Sequence, residues 1–195
     1  LKTPDGIIAH CKLNYPGLIN VENAVAASAR AFLAGATADE IKSGLEEYQG
    51  VMRRFDVKFK SEKQMYIDDY AHHPAELRAV ISSVKALYPN RKVTGIFQPH
   101  LYSRTRDFAA EFAESLDLLD EAILVPVYPA REEPIKGVSS EMILEKMKNE
   151  QKLLVEKDAV ADLLATRQTD VVLTMGAGDI DGIGNQIIEV LKNKN

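Results

Sequence analysis

In Tyr66-Ile67-Asp68-Asp69-Tyr70-Ala71-His72-His73-Pro74-Ala75-Glu76 an apolar run ends in two carboxylates, a phenol and two imidazoles, and Pro74 then opens a helix. In α/β proteins ligands gather beyond the carboxyl ends of the strands. A strand that stops on Asp-Asp-Tyr-x-His-His therefore delivers acids, a hydrogen-bonding ring and titratable nitrogens to that place. A second polar cluster, Gln98-Pro99-His100-Leu101-Tyr102-Ser103-Arg104-Thr105-Arg106-Asp107, follows the next apolar run, Val93 to Phe97. Two strand ends loaded in this way predict one site assembled from both loops.

Outward from this stretch the periodicity sets the fold class. From Met65 onward short β-rich runs alternate with helical patterns, the rhythm of βαβ units and a mostly parallel sheet with helices on both faces. The predicted strands are Val57–Lys60, Met65–Asp68, Val93–Phe97, Ala122–Val127, Lys152–Val155 and Val171–Met175. Helices are expected from Pro74 (with Leu77, Val80, Ile81, Val84 and Leu87 inward), over Asp107–Leu119, after Ser139 or Ser140, over Ala159–Ala165 and over Asp179–Lys192. Residues 130–139 form one long loop on the carboxyl side of a strand, a candidate lid or substrate loop.

Upstream the pattern differs. Gly6 to Leu13 reads as a strand and Asn14-Tyr15-Pro16-Gly17 as a turn. Asn20 reads as the N-cap of a helix carrying Val21, Ala24, Val25, Ala29 and Phe32, and Thr37-Ala38-Asp39-Glu40 as a capping box for a second helix. The expected boundary divides residues 1–54, a short mainly helical part, from 55–195, the α/β domain.

Composition fits a soluble globular protein: 195 residues, 46% apolar, 27% charged, with a net charge of −5. That charge argues against nucleic acid as a bulk electrostatic partner. A single cysteine, Cys11, excludes an intrachain disulfide and fits a reducing cytosol. No apolar run is long enough for a membrane span. The chain lacks an initiator Met and opens as if mid-domain, which reads as an excised fragment.

Each candidate residue has a bland alternative. Asp68 and Asp69 could hold Mg²⁺ or ribose hydroxyls, or cap the next helix; alternation along a strand sends one to the site and the other elsewhere. His72-His73 invites a metal reading, but adjacent residues rarely ligate one ion and no zinc spacing lies nearby. The expectation is no metal, with one imidazole facing a substrate and the other fixed structurally. Arg104 and Arg106 could grip a carboxylate or phosphate, or pair with Asp107 and Glu111; the functional reading falls on Arg104. Gly176-Ala177-Gly178 misses the dinucleotide-fingerprint spacing, so a tight turn or a close backbone approach explains it equally well. Arg53-Arg54 at the boundary reads, on residues alone, as a solvated charge pair.

The two long motifs, with Val127-Tyr128-Pro129-Ala130-Arg131-Glu132-Glu133-Pro134-Ile135, Gly176-Ala177-Gly178-Asp179-Ile180 and, upstream, Pro16-Gly17-Leu18-Ile19-Asn20-Val21-Glu22-Asn23-Ala24, resemble the ATP-dependent Mur ligase family of peptidoglycan synthesis. The resemblance covers essentially the whole chain: the end of the central ATPase domain and a Rossmann-like C-terminal domain. It implies a cytoplasmic ligase that joins L-alanine to UDP-N-acetylmuramate through an acyl-phosphate, using ATP and Mg²⁺. By resemblance, Asn20 and Asn23 meet the adenine, Arg54 the ATP phosphates or ribose, and Asp69 the ribose hydroxyls. Tyr70, His72 and Arg104 line the L-alanine pocket, with His72 and Arg104 closest to the chemistry. No Gly-x-x-Gly-Lys-Thr/Ser loop is present, so the resemblance places the triphosphate cradle and the metal ligands in missing upstream domains of the same chain. This polypeptide alone is then expected to be inactive. Ile19 stands where the family often has His, and Leu101 where it often has a second arginine, which leaves Arg104 to hold the carboxylate with less help. The rival readings are a recycling ligase that joins UDP-N-acetylmuramate to a tripeptide, a non-catalytic nucleotide-binding module, and a metal hydrolase built on His72-His73.

Overall fold

The computed structural model describes residues 1–3, 6–13 and 15–194, with the backbone alone for residues 18 and 19. Asn14 of the expected turn and the side chain of Ile19, which stands where the family often has His, lie outside the described residues. The chain divides into two compact units, Leu1–Val51 and Met52–Asn195.

The first unit holds a two-stranded antiparallel ladder, β1 (Lys2–Thr3) with β2 (Gly6–Ile7), and two helices, α1 (Leu18–Leu33) and α2 (Ala38–Glu47). The strand expected over residues 6–13 is thus only two residues long. Thr37 caps α2 in a complete capping box with Glu40. Helix α1 begins earlier than its sequence signal: Gly17 is the N-cap, and Asn20 sits inside the first turn, its amide donating back to the Pro16 carbonyl at 2.6 Å. Val21 and Val25 of this helix are about half exposed at 48% and 49%.

The second unit is built on a six-stranded sheet. Its elements are β3 (Asp56–Lys60), β4 (Met65–Asp69), α3 (Pro74–Leu87), β5 (Val93–Phe97), α4 (Tyr102–Leu116), β6 (Glu121–Leu124), α5 (Glu141–Lys146), β7 (Lys152–Leu154), α6 (Val160–Ala165), β8 (Val171–Met175) and α7 (Gly184–Lys192). Short 3₁₀ turns at Lys157–Ala159 and Ile180–Ile183 lead into α6 and α7. Strand order is β3-β4-β8-β5-β6-β7; only the β3–β4 pair is antiparallel. The chain is α/β with a mostly parallel sheet.

Every residue of β4, β5, β6 and β8 is buried, as parallel strands covered on both faces require. One face carries Tyr66, Ile96, Ile123 and Val172 against α6 and α7, through Val160, Leu164, Ile187 and Leu191. On the other face Phe97 meets Phe112 of α4 with ring centroids 5.2 Å apart. Fully burying each such side chain stabilises the fold by about 1.5–3 kcal/mol. Leu77, Val80, Ile81 and Val84 form the buried stripe of α3, whereas Leu87 is 43% exposed, one turn past the sheet-facing segment.

Candidate active site

Strand β8 lies between β4 and β5, and all three run parallel. Their carboxyl ends therefore open side by side, and β6 adds a fourth loop. Tyr128 of that loop forms a parallel bridge with His100, and Leu101 N–H donates to the Tyr128 carbonyl at 3.0 Å. This is the switch-point crevice of an open α/β sheet.

The two acids that end β4 part company, as alternation demands. Asp68, 1% exposed, shares the face of Tyr66 and Thr174: its Oδ1 accepts the Thr174 hydroxyl at 2.6 Å and its Oδ2 the Arg53 Nε at 3.2 Å. Asp69 pins the loop instead. Its Oδ2 accepts the Phe55 amide at 2.7 Å and its Oδ1 the Ala71 amide at 2.8 Å. Burial raises both carboxyls above their ordinary value, against the pull of these partners.

Arg53 is not the solvated residue its sequence context predicts. It ion-pairs with Asp68 and donates to the carbonyls of Gly176 at 2.5 Å and Gly178 at 3.1 Å. Its own carbonyl accepts the Tyr70 amide at 2.6 Å. The Arg53 and Arg54 guanidinium carbons lie 5.1 and 5.5 Å from the Tyr70 ring centroid, within cation–π range.

The adjacent histidines divide their work. His73 caps α3: its ring accepts the Ala75 amide while Glu76 accepts the His73 amide, with Pro74 in the first turn. His72 turns toward the crevice. Its Nδ1 lies 2.9 Å from the Tyr70 carbonyl, an acceptor only, so the proton sits on Nδ1 and a neutral ring keeps its lone pair on Nε2. The His72 ring is 5.2 Å from Tyr70 and 6.2 Å from His100.

The end of β5 carries unpaired polarity. Of the four buried side-chain atoms without a hydrogen-bond partner among the described residues, three are here, Gln98 Oε1, His100 Nδ1 and Arg104 Nη1, and the fourth is Arg167 Nε. A buried polar atom without a partner costs about 1–3 kcal/mol, and three within seven residues mark a functional concentration. His100 stacks on Tyr128 with ring centroids 5.8 Å apart. Burial first, and then its neighbours Arg104, His72 and Arg131, lower its imidazole below the ordinary value against the opposing pull of Glu132, so the neutral ring prevails at pH 7. Arg106, by contrast, is exposed and bound to Asp107 at 2.7 Å.

The glycine turn after β8 serves protein packing. A Cβ on Gly176 would lie 2.7 Å from the Gln98 carbonyl oxygen, and one on Gly178 2.4 Å from Gln98 Oε1 and 2.7 Å from the Tyr128 Cβ. Gln98 in turn donates to Asp179 at 2.8 Å. The turn is thus the floor on which Gln98 and Tyr128 rest.

Loops 70–72 and 98–104 therefore share one crevice, which holds Tyr70, His72, His100 and Arg104. Sequence reasoning assigned no role to His100, although it lies in a quoted motif, and discounted Arg53. Asn20 and Asn23 belong to the first unit. With Leu13, Tyr15, Ala24, Ala27 and Tyr48 they border a largely apolar cavity of about 380 Å³.

The donors do not fit a divalent cation. Asp68 and Asp69 already accept bonds from Arg53, Thr174 and two backbone amides, and the described residues contain no group of three His, Cys, Asp or Glu side chains able to hold a metal. No helix among the described residues is long and apolar enough to cross a membrane.

Residues 53–178 match the model of "Mur ligase, glutamate ligase domain". Over 98% of its length the chain is 48% identical to a UDP-N-acetylmuramate–L-alanine ligase of Phocaeicola vulgatus, and over 96% it is 52% identical to that of Parabacteroides distasonis. It covers 42% and 41% of these proteins, so it spans about two-fifths of the curated relatives it matches. The crystal structure of a UDP-N-acetylmuramate–alanine ligase from Thermotoga maritima superposes with a TM-score of 0.78 at 30% identity, over 94% of this chain and 40% of that one.

Proposed function

The chain belongs to the Mur ligase family, and on that premise we propose that it supplies the amino-acid-binding site of an ATP-dependent ligase that joins L-alanine to UDP-N-acetylmuramate in the cytoplasm. The observation that carries the reading is the unpaired guanidinium nitrogen of Arg104, buried beside the neutral His100 and across from His72 and Tyr70. A cation with no ion-pair partner among the described residues, in a crevice lined by rings, suits a small zwitterion.

In this reading the ligase activates the muramoyl carboxylate with ATP as an acyl-phosphate, and the alanine amine then attacks it. The local chemistry agrees, because the site offers positioning and charge and no activated Ser or Cys nucleophile. Arg104 grips the alanine carboxylate. His72, its Nδ1–H tied to the Tyr70 carbonyl, offers Nε2 to the amine, and Tyr70 forms the wall. Arg54 is assigned to the ATP phosphates or ribose. Asp69 is assigned to the ribose, whose hydroxyls would use the lone pairs left by the Phe55 and Ala71 amides. Asn20 and Asn23 are assigned to the adenine. ATP, its Mg²⁺ and UDP-N-acetylmuramate then depend on domains beyond these residues, and the chain on its own is inactive.

The test is ADP release by the full-length protein with ATP and UDP-N-acetylmuramate. The expected result is release that depends on L-alanine and gives a product heavier by one alanyl residue. Release that depends on a tripeptide instead would transfer the chain to the recycling reaction. No amino-acid dependence, with nucleotide still bound, would leave a binding module.

A further inference from the structure

Helix α4 carries Arg104 in its first turn yet supplies no cap of its own. Its N-cap position is Leu101, an apolar residue at φ 72°, and no side chain of the helix caps it. The cap comes from another loop. Glu132, in the segment after β6, accepts the Ser103 amide on Oε2 at 2.9 Å and the Ser103 hydroxyl on Oε1 at 2.5 Å. These bonds, the hydroxyl first and then the amides of Ser103 and Tyr102, hold the Glu132 carboxyl below its ordinary value. A carboxylate at this end also complements the helix dipole.

The junction is held against backbone strain. Leu101 at φ 72° and Ala130 at φ 52° both occupy the left-handed region, although neither is glycine. Such conformations persist where the surroundings over-determine them, and they cluster at functional sites. Here the surroundings are specific. Leu101 N–H donates to the Tyr128 carbonyl at 3.0 Å, Tyr128 N–H to the Pro99 carbonyl at 2.8 Å, and Glu132 N–H to the Pro129 carbonyl at 3.0 Å. Glu132 closes this set of bonds at the residue immediately before Arg104.

We propose that Glu132 is a positioning residue for the amino-acid substrate: by latching Ser103 it fixes the first turn of α4, so that the Arg104 guanidinium meets the substrate carboxylate with its geometry already set. The proposal rests on the functional reading above. It turns residues 130–139 from an expected lid into a brace, at least at Glu132. Glu132 has no part in ATP handling in this scheme, so its loss should fall on one substrate.

The test uses the full-length ligase and steady-state kinetics on both substrates. Glu132→Ala is expected to raise the KM for L-alanine by about tenfold or more, with the KM for ATP within about twofold of wild type. Glu132→Gln keeps an acceptor for the Ser103 amide and a donor for its hydroxyl, and is expected to restore most of the loss. Ser103→Ala, which removes half of the latch, should fall between the two. An unchanged KM for L-alanine in Glu132→Ala would overturn the proposal, and so would parallel rises for ATP and L-alanine, the mark of a general loss of structure. Should Glu132→Ala fail to fold, Ser103→Ala decides: a KM for L-alanine equal to wild type overturns the latch. A wild-type enzyme indifferent to L-alanine would overturn the functional reading first, and the latch with it.

Discussion

Arg53 and Asp68 form an ion pair at 3.2 Å in which the Asp68 side chain is only 1% exposed and that of Arg53 16%. The pair joins the entry of the second unit to the end of β4. The other two guanidinium nitrogens reach the carbonyls of Gly176 and Gly178, so one side chain ties the β4 end to the β8 turn.

Removing Arg53 leaves a buried charge with the Thr174 hydroxyl as its remaining side-chain donor and strips two carbonyls of their donor. Arg53→Ala should lower stability by about 3–5 kcal/mol, read from urea unfolding. Adding Asp68→Asn should recover part of that loss, because the amide needs no counter-charge. A single variant within about 0.5 kcal/mol of wild type would show that the pair is idle.

Gly178→Ala places a methyl group 2.4 Å from Gln98 Oε1 and 2.7 Å from Tyr128 Cβ. Overpacking of this kind costs about 1–3 kcal/mol. The Gln98–Asp179 bond should break with it, and the Tyr128 ring that stacks on His100 should shift. Thermal unfolding and the aromatic NMR signals of Tyr128 read the two effects separately.

Arg104→Ala in the full-length ligase should raise the KM for L-alanine far more than that for ATP. A charge-assisted bond is worth about 1.5–3 kcal/mol, which corresponds to roughly ten- to 150-fold. Arg104→Lys should recover little, since an ammonium lacks the planar fork. Equal effects on both substrates would remove Arg104 from the carboxylate site.

His100 should impose a pH dependence of known sign. Its folded value lies below the ordinary 6.5, through burial first and then through Arg104, His72 and Arg131, opposed by Glu132. The unfolded chain therefore takes up the proton first, and stability falls as pH drops from 6.5 toward the lowered value. Unfolding free energies measured at pH 7.5 and 5.5 should differ less in His100→Gln than in wild type. Equal differences would mean that the ring titrates alike in both states.

The sheet was legible because its signals are local. The apolar runs at Met65, Val93 and Val171 became β4, β5 and β8 with ends within a residue of expectation. The Pro74 start of α3 and the Thr37 capping box likewise depend on neighbours in sequence. What escaped depends on distant partners. Helix α4 was expected from Asp107 but starts at Tyr102, because its first turn is capped by Glu132, 29 residues away. Arg53 read as a surface charge because Asp68, Gly176 and Gly178 meet it only after folding. His100 stood inside a quoted motif, yet a chain of letters does not show that its Nδ1 is buried without a partner. Arg53 lies within the second compact unit, Met52–Asn195, where it pairs with Asp68.

The strand order has a consequence for synthesis. β8 emerges from the ribosome after the other five strands of this sheet, yet it sits between β4 and β5 and pairs with both. Until residue 171 is made, the nascent chain holds two half-sheets with no common seam, and their apolar edges must wait for translation to deliver the keystone. A chain stopped before residue 171 would lack the strand that joins the two halves and so would not complete the crevice.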